Sequence, residues 1–181
     1  MGAVAGAVVL GCGLLGGTVG ATASGASANG AVKVFVTPNG TTTAKHPGKV
    51  LFTGAIGDYG SVTSVNASGK ATRKGVYRLL KLKQGTVLVD ITSFQKQLQG
   101  SFTSPTALDK TTCSLAVTAT GPVTVVRGTG SYAGITGSFT MTATIAGIAP
   151  RTKGGACTLK TTTPSLATFT MITGTGNVTV P

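Results

Sequence analysis

Few side chains in this sequence can hold or move a proton near neutral pH. The acidic groups are three aspartates, Asp58, Asp90 and Asp109, with no glutamate, and the only histidine is His46. General acid/base pairs and metal sites are built from carboxylates and imidazoles, so no catalytic residue, metal or cofactor is expected. His46 stands between Lys45 and Pro47 in a polar stretch with no serine motif or second acid nearby, and no catalytic triad assembles around it. Asp58 and Tyr59 fall in a tight Gly57-Asp58-Tyr59-Gly60 turn. There an aspartate ordinarily caps the turn through its own backbone, with the tyrosine covering the end of the fold. The functional alternative has Asp58 orient a polar group of a ligand. Asp90 is opposite in parity to Val87, Val89 and Ile91, which predicts a group facing solvent or paired with a lysine. Turned inward, it would meet Arg78, which shares parity with Val76, Leu80 and Leu82. A buried arginine–aspartate pair of that kind is the strongest ligand site the chain offers.

The basic side is rich by contrast, with fifteen lysines and arginines and a net charge of +12. Lys70, Arg73, Lys74, Arg78, Lys81 and Lys83 crowd one predicted hairpin, with Tyr77 the only aromatic among them. One aromatic is too little for a platform that stacks single-stranded nucleic acid, so no specific nucleic-acid partner is expected. The cluster suits an anionic cell-surface polymer, and the bland alternative is that spread-out charge keeps the protein soluble.

The chain length corresponds to one domain. Ala3 to Leu15 is an uncharged apolar run, followed by small residues ending in Ala26-Ser27-Ala28. This is the pattern of a cleaved secretory signal, which assigns residues 1–28 to a leader, 29–181 to the mature domain, and the protein to the extracellular space. The basic residue that should open such a segment is missing from Met1-Gly2-Ala3, as expected when the true start lies upstream. A lipoprotein signal ending at Cys12 is the alternative, although apolar residues continue past it. Cleavage leaves two cysteines, Cys113 and Cys157, and an even pair in an exported chain reads as a disulfide. One histidine beside them cannot complete a zinc site.

After Ala31 the sequence alternates apolar and polar residues almost throughout, the pattern of strands with one buried face. Shared faces are predicted for Val32, Val34 and Val36; for Val87, Val89 and Ile91; for Cys113, Leu115, Val117 and Ala119; and for Val123 and Val125. They are also predicted for Phe139, Met141, Ala143 and Ile145, and for Ala167, Phe169 and Met171. Turn signals separate the runs at Pro38-Asn39-Gly40, Gly57 to Gly60, Ser68-Gly69, Gln84-Gly85, Gly121-Pro122 and Lys153-Gly154-Gly155. Ser93 to Gln99 is the only stretch suited to a helical turn, and it serves equally as a loop. The predicted class is all-β: a single closed antiparallel barrel of about eight strands, with a sandwich as the alternative. Closure removes edges that long Thr/Val strands would leave sticky.

Gly128-Thr129-Gly130-Ser131-Tyr132-Ala133 matches the G-x-G-x-x-A dinucleotide fingerprint but lacks its context. Glycine and β-formers follow where a helix is required, and no acid lies about twenty residues on to hold a ribose. Between two strands the same glycines permit positive φ, and Tyr132 can fold back as a plug. In that form, Arg127 to Gly137 resembles the G-T-G-x-[FY]-x-x-(A/I)-x-G turn of dirigent proteins and allene oxide cyclases, and of exported bacterial barrels related to them. Phe52 to Gly60 fits the earlier glycine-rich hairpin of the bacterial chains. The resemblance implies an eight-stranded calycin-like barrel, trimeric in many plant members. Its chemistry carries over poorly: the cyclases depend on a glutamate, which this chain lacks, and dirigent aspartates and arginine have no matched positions here.

Three functions follow as expectations. The first is an exported, non-enzymatic barrel that binds a small apolar or amphipathic ligand, or a structural secreted module, with Asp58, Tyr59, Arg78, Asp90 and Tyr132 as candidate ligand contacts. The second is a polyanion-binding surface protein acting through Lys70, Arg73, Lys74, Lys81 and Lys83. The third is a dirigent- or cyclase-like enzyme that guides a reactive intermediate by shape.

Overall fold

The computed structural model describes residues 29–38, 45–103, 107–158 and 165–181. Residues 1–28, where the sequence predicts a leader, and Asn39-Gly40 of the first predicted turn lie outside the described residues. The chain runs β1 (Asn29–Thr37), β2 (Gly48–Gly54), β3 (Asp58–Val65), β4 (Tyr77–Leu82), β5 (Gly85–Asp90), α1 (Thr92–Phe102), β6 (Ser114–Gly130), β7 (Thr136–Ile148) and β8 (Ala167–Thr179). Each strand pairs antiparallel with the next, and β8 returns to β1, so the eight strands close into one barrel. This is the fold class that the alternation predicts. The one helix among the described residues occupies Thr92–Phe102, longer than the helical turn allowed for around Ser93 to Gln99.

Most predicted inner faces point into the barrel. Val32 and Val34 on β1, Val87 and Val89 on β5, Val123 and Val125 on β6, and Phe139, Met141 and Ala143 on β7 are all buried in one core. They meet Val50 and Phe52 on β2, with the rings of Phe52 and Phe139 tilted at 57° and 5.8 Å apart. Outward positions on β6 and β7 carry threonines that pair across the strands, as in Thr120 with Thr142 at 2.9 Å.

One face is the reverse of the expectation. Ala167, Phe169 and Met171 on β8 point outward, with Phe169 63% and Met171 50% exposed. The inward set on β8 is Ile172, Gly174, Gly176 and Val178. Gly174 lies opposite Met141 in register, and a Cβ there would collide with the Met141 sulfur. The large side chains of β7 take the interior volume, and glycines on β8 give way to them. That packing fixes the parity of the strand and carries Phe169 and Met171 outside.

The two barrel ends differ. At one, the glycine-rich turn between β6 and β7 folds Tyr132 inward, where it joins Ile56, Ile135 and Val180 in the core. At the other, α1 follows β5 and lies against β6. Gly121 permits this approach, since a Cβ at that position would come within 2.9 Å of the Phe94 Cα. Beyond this end, Cys113 and Cys157 form the expected disulfide, with Cα atoms 5.4 Å apart. It ties the β7–β8 connection to the residue just before β6.

Candidate ligand-binding cavity

Inside the barrel at the α1 end is a partly open cavity of about 380 Å³. Its walls are the inner faces of the strands, including Val34, Val50, Phe52, Val123, Phe139 and Met141. Its remaining side is the helix, from which Phe94, Leu98 and Phe102 reach the cavity at i, i+4 and i+8. That spacing puts one apolar stripe of α1 over the barrel interior. Phe94 is buried, while Leu98 is half-buried and Phe102 is exposed at the rim.

Asp90 sets the start of the helix. Its carboxylate accepts from the Thr92 N–H at 2.7 Å and from the Thr92 hydroxyl at 2.6 Å, beside the positive end of the helix dipole. Among the described residues, Asp90 pairs with neither a lysine nor Arg78. The register explains why: Arg78 stands opposite Val89, while Asp90 stands opposite Tyr77 on the other face of the sheet. The inward arginine–aspartate pair considered from sequence does not form.

Arg78 does point inward, as its parity with Leu80 suggested, and it lines the cavity. Its Nη1 donates to the Gly75 carbonyl at 2.8 Å, the Tyr77 carbonyl at 2.9 Å and the Ser64 hydroxyl at 3.1 Å. Burial lowers the guanidinium from its ordinary value, although arginine starts high enough to remain a cation. Arg73, exposed in the β3–β4 connection, reaches the same cavity. None of the three aspartates lines it.

Next to the apolar stripe of α1 sit Gln95 and Gln99, both lining the cavity. The Gln95 Oε1 is buried and accepts no hydrogen bond among the described residues. Sequence reasoning gave this residue no role. The available signal was two neutral amides, Gln95 and Gln99, flanking Phe94 and Leu98 on a helix one turn apart. A buried acceptor without a donor costs about 1–3 kcal/mol, so Gln95→Leu is expected to raise stability by about 1 kcal/mol after packing losses. A urea titration reads this as a higher midpoint at unchanged slope; an unchanged or lower midpoint would show that the amide finds a partner in solution.

Asp58 and Tyr132 meet at the opposite end and do not line the cavity. The Tyr132 hydroxyl donates to Asp58 Oδ2 at 2.6 Å, and the Gln84 N–H donates to the same oxygen at 3.0 Å. Oδ1 accepts from the N–H groups of Tyr59 at 2.7 Å and Lys83 at 3.2 Å. Asp58, only 4% exposed, thus does more than cap its own turn: it ties β3 to the β4–β5 turn and to the glycine-rich turn. Burial pushes its carboxyl up, but the bonds from Tyr132, Gln84, Tyr59 and Lys83 together outweigh this and hold it below its ordinary value. Burial first, then the bond to Asp58 and its charge, push the Tyr132 phenol well above its own. Tyr59 does not cover the barrel end as expected. It is 57% exposed, with the Lys83 ammonium 5.4 Å from its ring centre, and Tyr132 takes the plugging role.

The basic residues are spread out. Lys70, Arg73 and Lys74 lie in the β3–β4 connection, Lys81 faces outward from β4, and Lys83 follows β4 toward the Asp58 end. Comparison of the chain with protein-family models, with curated proteins and with solved structures finds no match.

Proposed function

We propose that this chain is an exported β-barrel protein that holds one small apolar or amphipathic molecule inside the barrel and catalyses no reaction on it. The observation that carries this reading is the 380 Å³ cavity, walled by Val, Phe, Leu and Met side chains with a few polar groups at one end. Small-molecule sites have that size and composition, and an eight-stranded barrel is just wide enough for one such ligand. Export rests on the leader pattern and on a disulfide of the kind oxidising compartments favour.

A dirigent- or cyclase-like enzyme fits less well. An Arg78–Asp90 pair or Asp58 facing the cavity would favour it, whereas Asp58 is engaged by four donors, Asp90 binds the helix start, and neither lines the cavity. The polyanion-binding reading draws on the same net charge of +12 but on basic groups spread between the two ends.

The test is uptake of an apolar fluorescent probe such as N-phenylnaphthylamine. The protein is expected to brighten and saturate it at one probe per chain. Leu98→Trp, which fills the cavity from the helix side, is expected to weaken uptake by about tenfold or more without unfolding the barrel. Equal uptake by both proteins would place the probe on the outer surface and remove the support for an internal site.

A further inference from the structure

The polar groups at the helix end of the cavity specify the head of the molecule it takes. The inference rests on the cavity being a small-molecule site, as proposed above. Arg78 faces the cavity as a half-buried cation, and no carboxylate lines the walls to balance it. Its three hydrogen bonds among the described residues all use Nη1, which anchors the side chain and leaves the Nη2 and Nε edge of the guanidinium without a partner there. A planar fork fixed in this way suits a carboxylate.

The second group is the Gln95 Oε1, buried in the same lining and without a donor among the described residues. The fold brings the two to one end. Arg78 is in register with Val89, the helix begins three residues after Val89, and Gln95 lies in its first turn, with its N–H on the Ile91 carbonyl at 2.8 Å. An ionised fatty acid is an acceptor only, so it answers Arg78 and leaves Gln95 unsatisfied. A neutral alcohol or amide answers Gln95 and leaves the cation unbalanced.

We infer that the cavity selects an amphipathic carboxylic acid that carries an N–H or O–H donor beside its carboxylate, of the N-acyl amino acid kind. The carboxylate lies on Arg78, the donor on Gln95, and the aliphatic tail among Val50, Phe52, Phe139 and Met141. Arg73 at the rim adds long-range attraction for the anion and no fixed contact.

Three matched probes separate these contributions in calorimetric titrations below their micelle concentrations. N-lauroylglycine has both the acid and the N–H, N-lauroylsarcosine has the acid but an N-methyl, and N-lauroylglycinamide has the N–H but no charge. The first is expected to bind tightest, with each of the others weaker by about tenfold. Gln95→Leu is expected to erase the preference for lauroylglycine over lauroylsarcosine and keep the preference for the acid over the amide. Arg78→Gln is expected to do the opposite. Arg78 also holds Ser64, Gly75 and Tyr77, so Arg78→Lys serves as a second variant that retains the charge and part of the acid preference.

Equal binding of all three probes by the unaltered protein would overturn the head-group assignment while leaving an internal small-molecule site in place. Acid binding that survives Arg78→Gln and vanishes at about 0.5 M salt would overturn it in favour of the basic outer surface. Failure to bind any of the three would overturn both this inference and the proposed function.

Discussion

Asp58→Ala is expected to lower the stability of the barrel by roughly 3 kcal/mol or more, the largest effect of any single substitution considered. The change removes the acceptor of four hydrogen bonds and leaves the Tyr132 hydroxyl and the Gln84 and Lys83 N–H groups facing a void. Each buried donor left unpaired costs about 1–3 kcal/mol, partly recovered where water enters. Tyr132→Phe removes one of the four donors and is expected to cost about 1 kcal/mol. Because the two side chains share one bond, the double variant should lose less than the sum of the singles.

The same pair makes stability depend on pH at both extremes. The Asp58 carboxyl is held below its ordinary value of 3.8, so its contribution is complete above that value and is lost as pH falls through the lower folded one. The Tyr132 phenol is raised from 10.0, so its contribution is complete below pH 10.0 and is lost as pH rises beyond it. Asp109, held low chiefly by the Thr111 N–H, acts in the same acid direction, and Asp58→Ala therefore supplies the baseline. In urea titrations across pH, the unaltered protein should lose its advantage over Asp58→Ala in acid. A constant difference down to about pH 2 would show that Asp58 has no depressed pKa.

Removing the disulfide is the second large effect. The double variant Cys113→Ser, Cys157→Ser opens a cross-link between residues 44 apart in sequence, and chain entropy puts the loss at about 4 kcal/mol. For a domain of this size that corresponds to a fall of about 10 °C in Tm. Cys113 is almost fully buried, yet together with Val117 and Ala119 it lies outside the main barrel core. The clip thus joins the outer reach of β6 to the connection that leads into β8. Calorimetry of both forms, with and without reductant, reads the effect. A fall of less than about 3 °C would mean that this region opens without unfolding the barrel.

The barrel was legible because Val, Thr, Phe and Met alternate cleanly, and each inner-face prediction from β1 to β7 rests on that period. It failed on β8, where the apolar residues Ala167, Phe169 and Met171 alternate just as cleanly yet face outward. The deciding residues were Gly174 and Gly176, which carry no hydrophobic signal and matter only because Met141 and Phe139 lie opposite. Arg78 was readable as inward from parity, and the cysteine pair from its count. The Asp58–Tyr132 bond was not readable: 74 residues separate the partners, and closure of the barrel alone brings them together. Gln95 was missed for a different reason. Its unsatisfied acceptor exists only because α1 lies over the cavity, and a stretch such as Ser93 to Gln99 that serves equally as a loop announces no such role.

The most direct test of an internal ligand is native mass spectrometry of the protein taken from its own host and purified without detergent. A discrete small-molecule adduct is expected on the folded protein, absent from Leu98→Trp, and released as an anionic amphiphile on collisional activation. A bare mass for the gently prepared protein that stays bare after incubation with N-phenylnaphthylamine and N-lauroylglycine would contradict the ligand-holding barrel outright.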